Sequence, residues 1–295
     1  MSKLNFAVYA EGIIYPTTNQ PAVSTTLSQL QKSGFTTLIL GLFHIGRNFS
    51  IQPSQIMGDI YFNDTLVISE GRYVGDPDWP ALINSALGGT VTSLCASIGG
   101  GGGVMDFETL QNIYQQNDNS YVGTNLASNL KVLKQTFPAI SIIDLDCEDN
   151  YDLPSFVAFC QLVNSLGFQL TFCPYTYQQF WTNALQQLNN SNKGAVKWWN
   201  LQCYDGGHSN KPAQWAHAIT EAIADFDTTA FILAGDWTND SPSLVQSRMK
   251  SFSSPAVGGG FIWTLDQIIA NSSSDPQQAM TAYVDAISVG LGNVL

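Results

Sequence analysis

The chain has 295 residues, of which 44% are hydrophobic and 12% are charged, and its formal net charge is −12. This length suits either two average domains or one large α/β barrel, and the apolar fraction is sufficient for a sizeable core. An acidic chain repels phosphate backbones, so nucleic acid is not expected as a partner. No apolar run approaches the roughly 18 residues that a transmembrane helix needs, so no membrane span is predicted.

Neutral polar side chains must form most of the surface, because charged residues are about half as frequent as usual. Such a surface with many aromatic residues suits uncharged ligands such as sugars, although ordinary core packing accounts for most of the aromatics. The five cysteines form no Cys-x-x-Cys pair and no zinc spacing, so they are predicted to be free, buried thiols. The first residues, Met1–Phe6, contain no apolar signal core, which leaves the localisation open between the cytoplasm and secretion by another route.

Eight short apolar runs are predicted to be β-strands, because their near-continuous apolar character is typical of parallel strands covered by helices. They are Phe6–Ala10, Thr36–Phe43, Val91–Ser97, Ile140–Asp146, Phe168–Pro174, Lys197–Tyr204, Thr229–Ala234 and Gly259–Leu265. The later strands begin roughly thirty residues apart, which is the length of one strand–helix unit. A β-hairpin is predicted around Asn63-Asp64.

Helical patterns with recognisable start and stop residues lie between these strands. They are Val23–Lys32, Trp79–Leu87, Asp106–Gln115, Asn125–Gln135, Pro154–Leu166, Tyr177–Leu188, Pro212–Asp225, Ser243–Ser251 and Pro276–Val289. The alternation predicts one (β/α)8 barrel over residues 1–295, with rim insertions after strands 2 and 3. The alternative is a doubly wound open sheet, but no strand is followed by a dinucleotide-binding or P-loop glycine motif.

Three acidic residues stand at alternate positions at the end of the fourth predicted strand. Side chains alternate faces along a strand, so Asp144, Asp146 and Glu148 are expected to point the same way. Burying like charges beside an apolar strand is costly, and such clusters usually mark sites where proton affinity is tuned for chemistry. An exposed acidic loop is the alternative interpretation.

Polar and aromatic residues also stand at the ends of other predicted strands. Strand three runs into Ser97-Ile98-Gly99-Gly100, strand six into Gln202-Cys203-Tyr204-Asp205, and strand eight into Trp263-Thr264. In a barrel the active site lies at the C-terminal ends of the strands, so one pocket is expected to collect these groups. Taken singly, Tyr204 and Asp205 have a pair at the core edge as their alternative interpretation, and a tryptophan such as Trp263 is more often a core residue than a ligand platform.

These four motifs together resemble glycoside hydrolase family 18, which includes chitinases and endo-β-N-acetylglucosaminidases. The acid strand is similar to the D-x-x-D-x-D-x-E signature of that family, and Ser97–Gly100 is similar to its S-x-G-G motif. Gln202–Asp205 resembles its strand-six tyrosine motif, and Trp263 its strand-eight tryptophan. The sequence departs from the signature at Ser141, where the family has an aspartate, and at Cys147, which is often aromatic in chitinases.

The resemblance implies retaining, substrate-assisted hydrolysis of β-1,4 linkages in N-acetylglucosamine polymers such as chitin. It implies that Glu148 is the general acid, that Asp146 orients the substrate acetamido group, and that Asp144 shares a proton with Asp146. It also implies that Tyr204 hydrogen-bonds the acetamido carbonyl and that Trp263 stacks under the sugar. The remaining predicted substrate-binding residues are Gln202, Asp205, Tyr9, Gly99 and Gly100.

Two other functions stay open at this point: an endo-β-N-acetylglucosaminidase that acts on N-glycans, and a non-hydrolytic chitin-binding lectin with the same fold. The three histidines, His44, His208 and His217, share no spacing that suggests a zinc site or a Ser-His-Asp triad. We therefore expect no metal and no cofactor. The expected partner is a carbohydrate that contains N-acetylglucosamine, and the chain is expected to act as a monomer.

Overall fold

The computed structural model describes residues 4–17, 22–45, 56–272 and 274–292, so the first three residues of the Met1–Phe6 segment lie outside the described residues. The strands within these ranges are β1 (Asn5–Ala10), β2 (Thr37–Ile45), β3 (Ile60–Phe62), β4 (Thr65–Ser69), β5 (Arg72–Tyr73), β6 (Ser93–Gly99), β7 (Ile142–Asp146), β8 (Gln169–Phe172), β9 (Val196–Gln202), β10 (Ile232–Trp237) and β11 (Val257–Trp263). β1, β2 and β6–β11 pair in parallel, in chain order, and β1 closes the ring by pairing with both β2 and β11. The predicted (β/α)8 barrel is confirmed.

Helices follow the barrel strands and cover them from outside. They are α1 (Val23–Leu30), α2 (Trp79–Asn84), α3 (Asp106–Gln116), α4 (Asn125–Thr136), α5 (Leu153–Ser165), α6 (Gln178–Ser191), α7 (Pro212–Ala222), α8 (Pro242–Phe252), α9 (Leu265–Asn271) and α10 (Pro276–Gly290). α9 was not predicted, because it has seven residues and follows β11 directly. In the described ranges no helix has the length and apolar character needed to cross a membrane.

Helix boundaries follow the predicted punctuation because capping side chains satisfy the free backbone N–H groups of the first turn. At the start of α5, Asp152 Oδ2 accepts a hydrogen bond of 3.0 Å from Ser155 N, and Pro154 occupies the first turn. At the start of α4, the Thr124 hydroxyl accepts from Ala127 N at 3.2 Å. These caps fix where each helix begins, and so how it returns the chain to the barrel.

The apolar residues form two separate layers. The larger one lies between the strands and the helices, and the smaller one fills the barrel interior. The interior layer contains Ala7, Tyr9, Ile39, Cys95, Ile142, Cys173, Tyr204, Leu233 and Phe261. All five cysteines are free and buried, as predicted. The packed interior closes the barrel below, so a ligand site can form only at an end.

The predicted hairpin around Asn63-Asp64 is formed by β3 and β4 and continues into β5. β3 pairs antiparallel with the last residues of β2, which places the insertion at the rim. Asn63 accepts a hydrogen bond of 3.1 Å from Leu42 N through its side chain, and its own N–H donates to Leu42 O at 2.8 Å. The hairpin therefore fixes Leu42, which lies at the C-terminal end of the barrel.

Candidate active site

Asp144 lies inside the barrel with no exposed surface and is held by four hydrogen-bond donors. Its Oδ2 accepts from the hydroxyls of Tyr9 and Ser97, both at 2.8 Å. Its Oδ1 accepts from the Thr171 hydroxyl at 2.6 Å and from Asn200 Nδ2 at 2.9 Å. Burial raises the pKa of Asp144, and these donors oppose that rise because they stabilise the carboxylate. Asp144 is therefore fixed in position below the other two acids.

Asp146 and Glu148 form a pair that one amide bridges. Gln202 Nε2 donates to Asp146 Oδ1 at 3.0 Å and to Glu148 Oε1 at 2.9 Å. Burial raises the pKa of Asp146 well above its usual range, and the negative charges of Glu148 and then Asp144 raise it further. Two carboxyl groups this close resist joint ionisation, which favours a proton on Asp146. Glu148 is half-buried, in the loop just beyond the end of β7.

The pair faces a cavity of about 340 Å³ at the C-terminal ends of the barrel strands. This volume is within the usual range of small-ligand sites. Seven of the predicted site residues line the cavity: Gly100, Asp146, Glu148, Gln202, Tyr204, Asp205 and Trp263. The structure thus brings together residues that are separated by more than 160 positions in the chain.

Three other predicted site residues, Asp144, Tyr9 and Gly99, lie below the cavity and do not line it. The Tyr9 hydroxyl contacts Asp144 and Cys173 Sγ, the latter at 3.3 Å, and its ring lies 5.3 Å from that of Trp263. Gly99 has φ +112°, and a Cβ there would lie 2.2 Å from the Asp146 carbonyl oxygen. Tyr9 and Gly99 were predicted to bind substrate, but they lie behind the cavity wall. They support the acids and the indole that line the cavity.

Tyr204 and Trp263 form aromatic walls. The Tyr204 ring stacks on Trp237 with centroids 5.7 Å apart, and the Trp237 indole N–H donates to Asp240 Oδ2 at 3.1 Å. Burial raises the pKa of Tyr204 well above its usual range, and nearby acids add to this effect. Its hydroxyl therefore remains protonated and can donate a hydrogen bond to a ligand.

Glu11 is a cavity residue that sequence reasoning missed. Its backbone N–H donates to Asp266 Oδ2 at 2.7 Å, which holds it at the rim next to Trp263. Burial, and secondarily the charge of Asp266, raises the pKa of Glu11 to about 7. The available signal was its position, one residue beyond the end of a barrel strand. Leu42 and Gly206 were also missed, and they line the cavity together with Gly101 and Tyr175.

The raised pKa of Glu11 predicts a pH-dependent loss of stability. Because its folded pKa of about 7 exceeds the ordinary 4.5, folding favours the protonated form. This contribution is fully present below pH 4.5 and is lost as the pH rises through 7. The free energy of unfolding of the wild type should therefore fall between pH 4.5 and 8. After allowance for solvent screening, we expect this fall to be about 1–2 kcal/mol smaller in Glu11→Gln. Urea unfolding at both pH values measures this, with exposed Glu70→Gln as the control that should track the wild type.

The departures from the acid signature lie away from the cavity. Ser141 is exposed and precedes β7, and its odd spacing from Asp144 puts it on the opposite face of the chain. Cys147 is buried among apolar side chains, and its thiol donates to Asn150 O at 3.1 Å. Neither residue lines the space in front of Asp146 and Glu148.

The described residues contain no group of three or more His, Cys, Asp or Glu side chains arranged to hold a metal ion. The polar and aromatic groups that line the cavity are carboxyl, phenol, amide and indole groups. A carboxyl pair that keeps one proton can act as a general acid and then as a general base.

Comparison with known proteins finds similarity at the level of the fold. No protein-family model and no curated protein matches the sequence. The tryptophan synthase alpha chain of Legionella pneumophila superposes with a TM-score of 0.53 at 13% identity, over 99% of this chain and 93% of that one. Tryptophan synthase from M. tuberculosis gives a TM-score of 0.52 at 8% identity, over 97% of this chain and 94% of that one. The chain has a TIM-barrel fold.

The spore cortex-lytic enzyme SleL of Bacillus cereus is also among the similar structures, with a TM-score of 0.49 and 12% identity. The match covers 80% of this chain and 51% of SleL, so it spans about half the length of that protein. The two tryptophan synthase structures, at 13% and 8% identity, show the fold alone and leave the chemistry to be argued from the site.

Proposed function

We propose that this protein is a retaining glycoside hydrolase that cleaves β-1,4 linkages next to N-acetylglucosamine in chitin or chito-oligosaccharides. The observation that carries the proposal is the pair of Asp146 and Glu148, bridged by Gln202, at the floor of a cavity walled by Tyr204 and Trp263. Three of the four motifs that resemble glycoside hydrolase family 18 supply these five residues, and the fourth motif supplies the glycine turn beside them.

The charge of the cavity favours a neutral substrate. Four acids, Glu11, Asp146, Glu148 and Asp205, are among the described residues that line it, and none of these described residues is Lys, Arg or His. A phosphorylated or carboxylated ligand would meet like charge without a cation to pair with it. This lining argues against the phosphate-binding chemistry that many TIM barrels carry out at the same end. An uncharged sugar with an acetamido group can hydrogen-bond to the polar groups and stack on the Trp263 indole.

The reaction can be written with the residues present. Glu148 donates its proton to the glycosidic oxygen as the bond to C1 breaks, and the acetamido oxygen of the substrate attacks C1. Asp146 accepts a hydrogen bond from the acetamido N–H and offsets the positive charge of the resulting oxazolinium ion, while the Tyr204 hydroxyl donates to the acetamido group. Water then attacks C1 and returns a proton to Glu148, which gives net retention of configuration.

The proton arrangement supports this order of events. Asp146 shares the Gln202 amide with Glu148, whereas Asp144 is saturated by its own four donors. Burial and the neighbouring charges favour a proton on Asp146, at the cavity and beside Glu148. The sharing of a proton between Asp144 and Asp146 that the resemblance implies stays a prediction.

The anomeric form of the product tests the proposal. We expect the wild type to hydrolyse chitotetraose with the β-anomer appearing first in ¹H NMR spectra, and to leave the fully de-N-acetylated tetramer uncleaved. Initial α-anomer, or equal cleavage of the de-N-acetylated sugar, would show that the acetamido group does not take part. A glycoprotein with N-glycans, incubated in parallel and followed by gel shift, distinguishes chitin hydrolysis from N-glycan release.

A further inference from the structure

A second cavity, of about 470 Å³, opens beside the first one at the C-terminal ends of β8 and β9. Tyr175 and Gly206 line both cavities, so the two share a wall. The Tyr175 hydroxyl lies directly over Gly206, where a Cβ would be 2.5 Å from it. A ligand that extends from the first cavity across this wall enters the second.

The described residues that line the second cavity are all uncharged. There are nine of them, and they are tyrosine, tryptophan, threonine, serine, glutamine, asparagine and glycine. This described lining offers no cation to pair with a phosphate or carboxylate, and no acid to pair with an amine. Side-chain amides and hydroxyls beside aromatic rings are the groups that hydrogen-bond and stack on a neutral polyhydroxylated ring.

Tyr177 is the most unusual member of this lining. Its side chain is 64% exposed although it is a large aromatic residue, and its backbone has φ +50°, which is uncommon for a residue other than glycine. Its ring packs against Tyr151 with centroids 4.4 Å apart. Tyr177 therefore presents a supported aromatic face to solvent that contributes little to the core, as a ligand platform requires.

The floor of this cavity is tied to the strand that holds the catalytic pair. Asn210 Nδ2 donates to Gln202 O at 2.8 Å and to Tyr175 O at 2.9 Å, and its Oδ1 accepts from the Trp215 indole at 3.1 Å. Gln202 is the residue whose side chain bridges Asp146 and Glu148. The two cavities are consequently held in a fixed relation, as consecutive units of one rigid ligand need.

We propose that this second cavity is a sugar-binding subsite for further neutral N-acetylglucosamine units of the same substrate chain, with Tyr177 and Gln214 as contact residues. The protein would then act on oligosaccharides longer than a disaccharide. The identity of the sugar rests on the proposed function, whereas the site itself rests on the cavity, its neutral lining and the exposed ring.

Binding measured in a Glu148→Gln background tests the subsite without the need for hydrolysis. By calorimetry, we expect this chain to bind chitopentaose at least tenfold more tightly than chitobiose. Adding Tyr177→Asn or Gln214→Ala should weaken chitopentaose binding by roughly 3–10-fold, the usual effect of one exposed stacking or hydrogen-bonding contact, and leave chitobiose binding unchanged. Asn adopts the backbone conformation of Tyr177 readily, and Gln214 is exposed on α7, so both variants should fold.

Gln179→Ala is the matched control, because Gln179 is exposed on α6 next to Gln178 but does not line the cavity. It should bind both sugars as the background chain does. Equal affinity for the two sugars, no binding of either one, or no effect of Tyr177→Asn and Gln214→Ala would overturn the subsite. If the two variants weaken chitopentaose binding but the wild type releases no product, the subsite stands and the hydrolase proposal fails.

Discussion

Replacing Glu148 by Gln is expected to slow chitotetraose hydrolysis by about 10²–10⁴-fold, the usual effect of removing a general acid. Gln has nearly the same shape, and its Oε1 can still accept the hydrogen bond that Gln202 Nε2 donates at 2.9 Å. The variant cannot deliver a proton to the glycosidic oxygen, so its kcat should fall while its affinity for the sugar is retained. Product release in a discontinuous assay measures kcat, and calorimetry measures binding.

Glu221→Gln provides the control for this change. Glu221 is 67% exposed on α7 and pairs only with His217, so the substitution makes the same chemical change outside the cavity. Its hydrolysis rate should match that of the wild type. Equal and negligible hydrolysis by the wild type and Glu148→Gln, together with retained binding of oligosaccharide, would favour the non-hydrolytic lectin.

The barrel could be predicted from the sequence because each strand is a short, near-continuous apolar run bounded by turn residues. In parallel strands both faces are buried, so the pattern is strong even without alternation. α9 escaped prediction because it begins at Leu265, inside the predicted last strand, which in fact ends at Trp263. A chain that turns from strand to helix within two residues leaves no turn signal between them.

The cavity residues could be predicted where a motif stood at the end of a strand, as with Glu148, Tyr204 and Trp263. The supports of Asp144 could not. In the sequence, Thr171 and Asn200 look like ordinary polar residues within apolar strands. Their contacts with Asp144 depend on the register between β7, β8 and β9. Register is fixed by barrel closure, which involves residues far apart in the chain.

The resemblance to a family signature did not show that position 141 lies outside the cavity. Ser141 occupies the place of a family aspartate, but it is exposed and lies on the face opposite that of Asp144. Conversely, Glu11 belongs to none of the motifs and lines the cavity. The position of a residue relative to the end of its strand was a better guide to the cavity than its place in the signature.

Replacing Asp144 by Leu is expected to destabilise the protein by about 4 kcal/mol, because an unpaired buried donor costs about 1–3 kcal/mol and only part of this is recovered when hydroxyls rotate. Four donors converge on this carboxylate, and it has no exposed surface. Asp144→Asn should cost less than half as much, because its amide can donate to hydroxyls that turn to accept. Urea unfolding at pH 7, with linear extrapolation, measures both variants.

Ser141→Asp is the control on the same segment of chain, three residues from Asp144 and exposed. It restores the acid of the family signature, yet it should change neither the free energy of unfolding nor the rate of hydrolysis, because that side chain does not face the acids. Wild-type stability of Asp144→Leu would mean that the four donors find other partners.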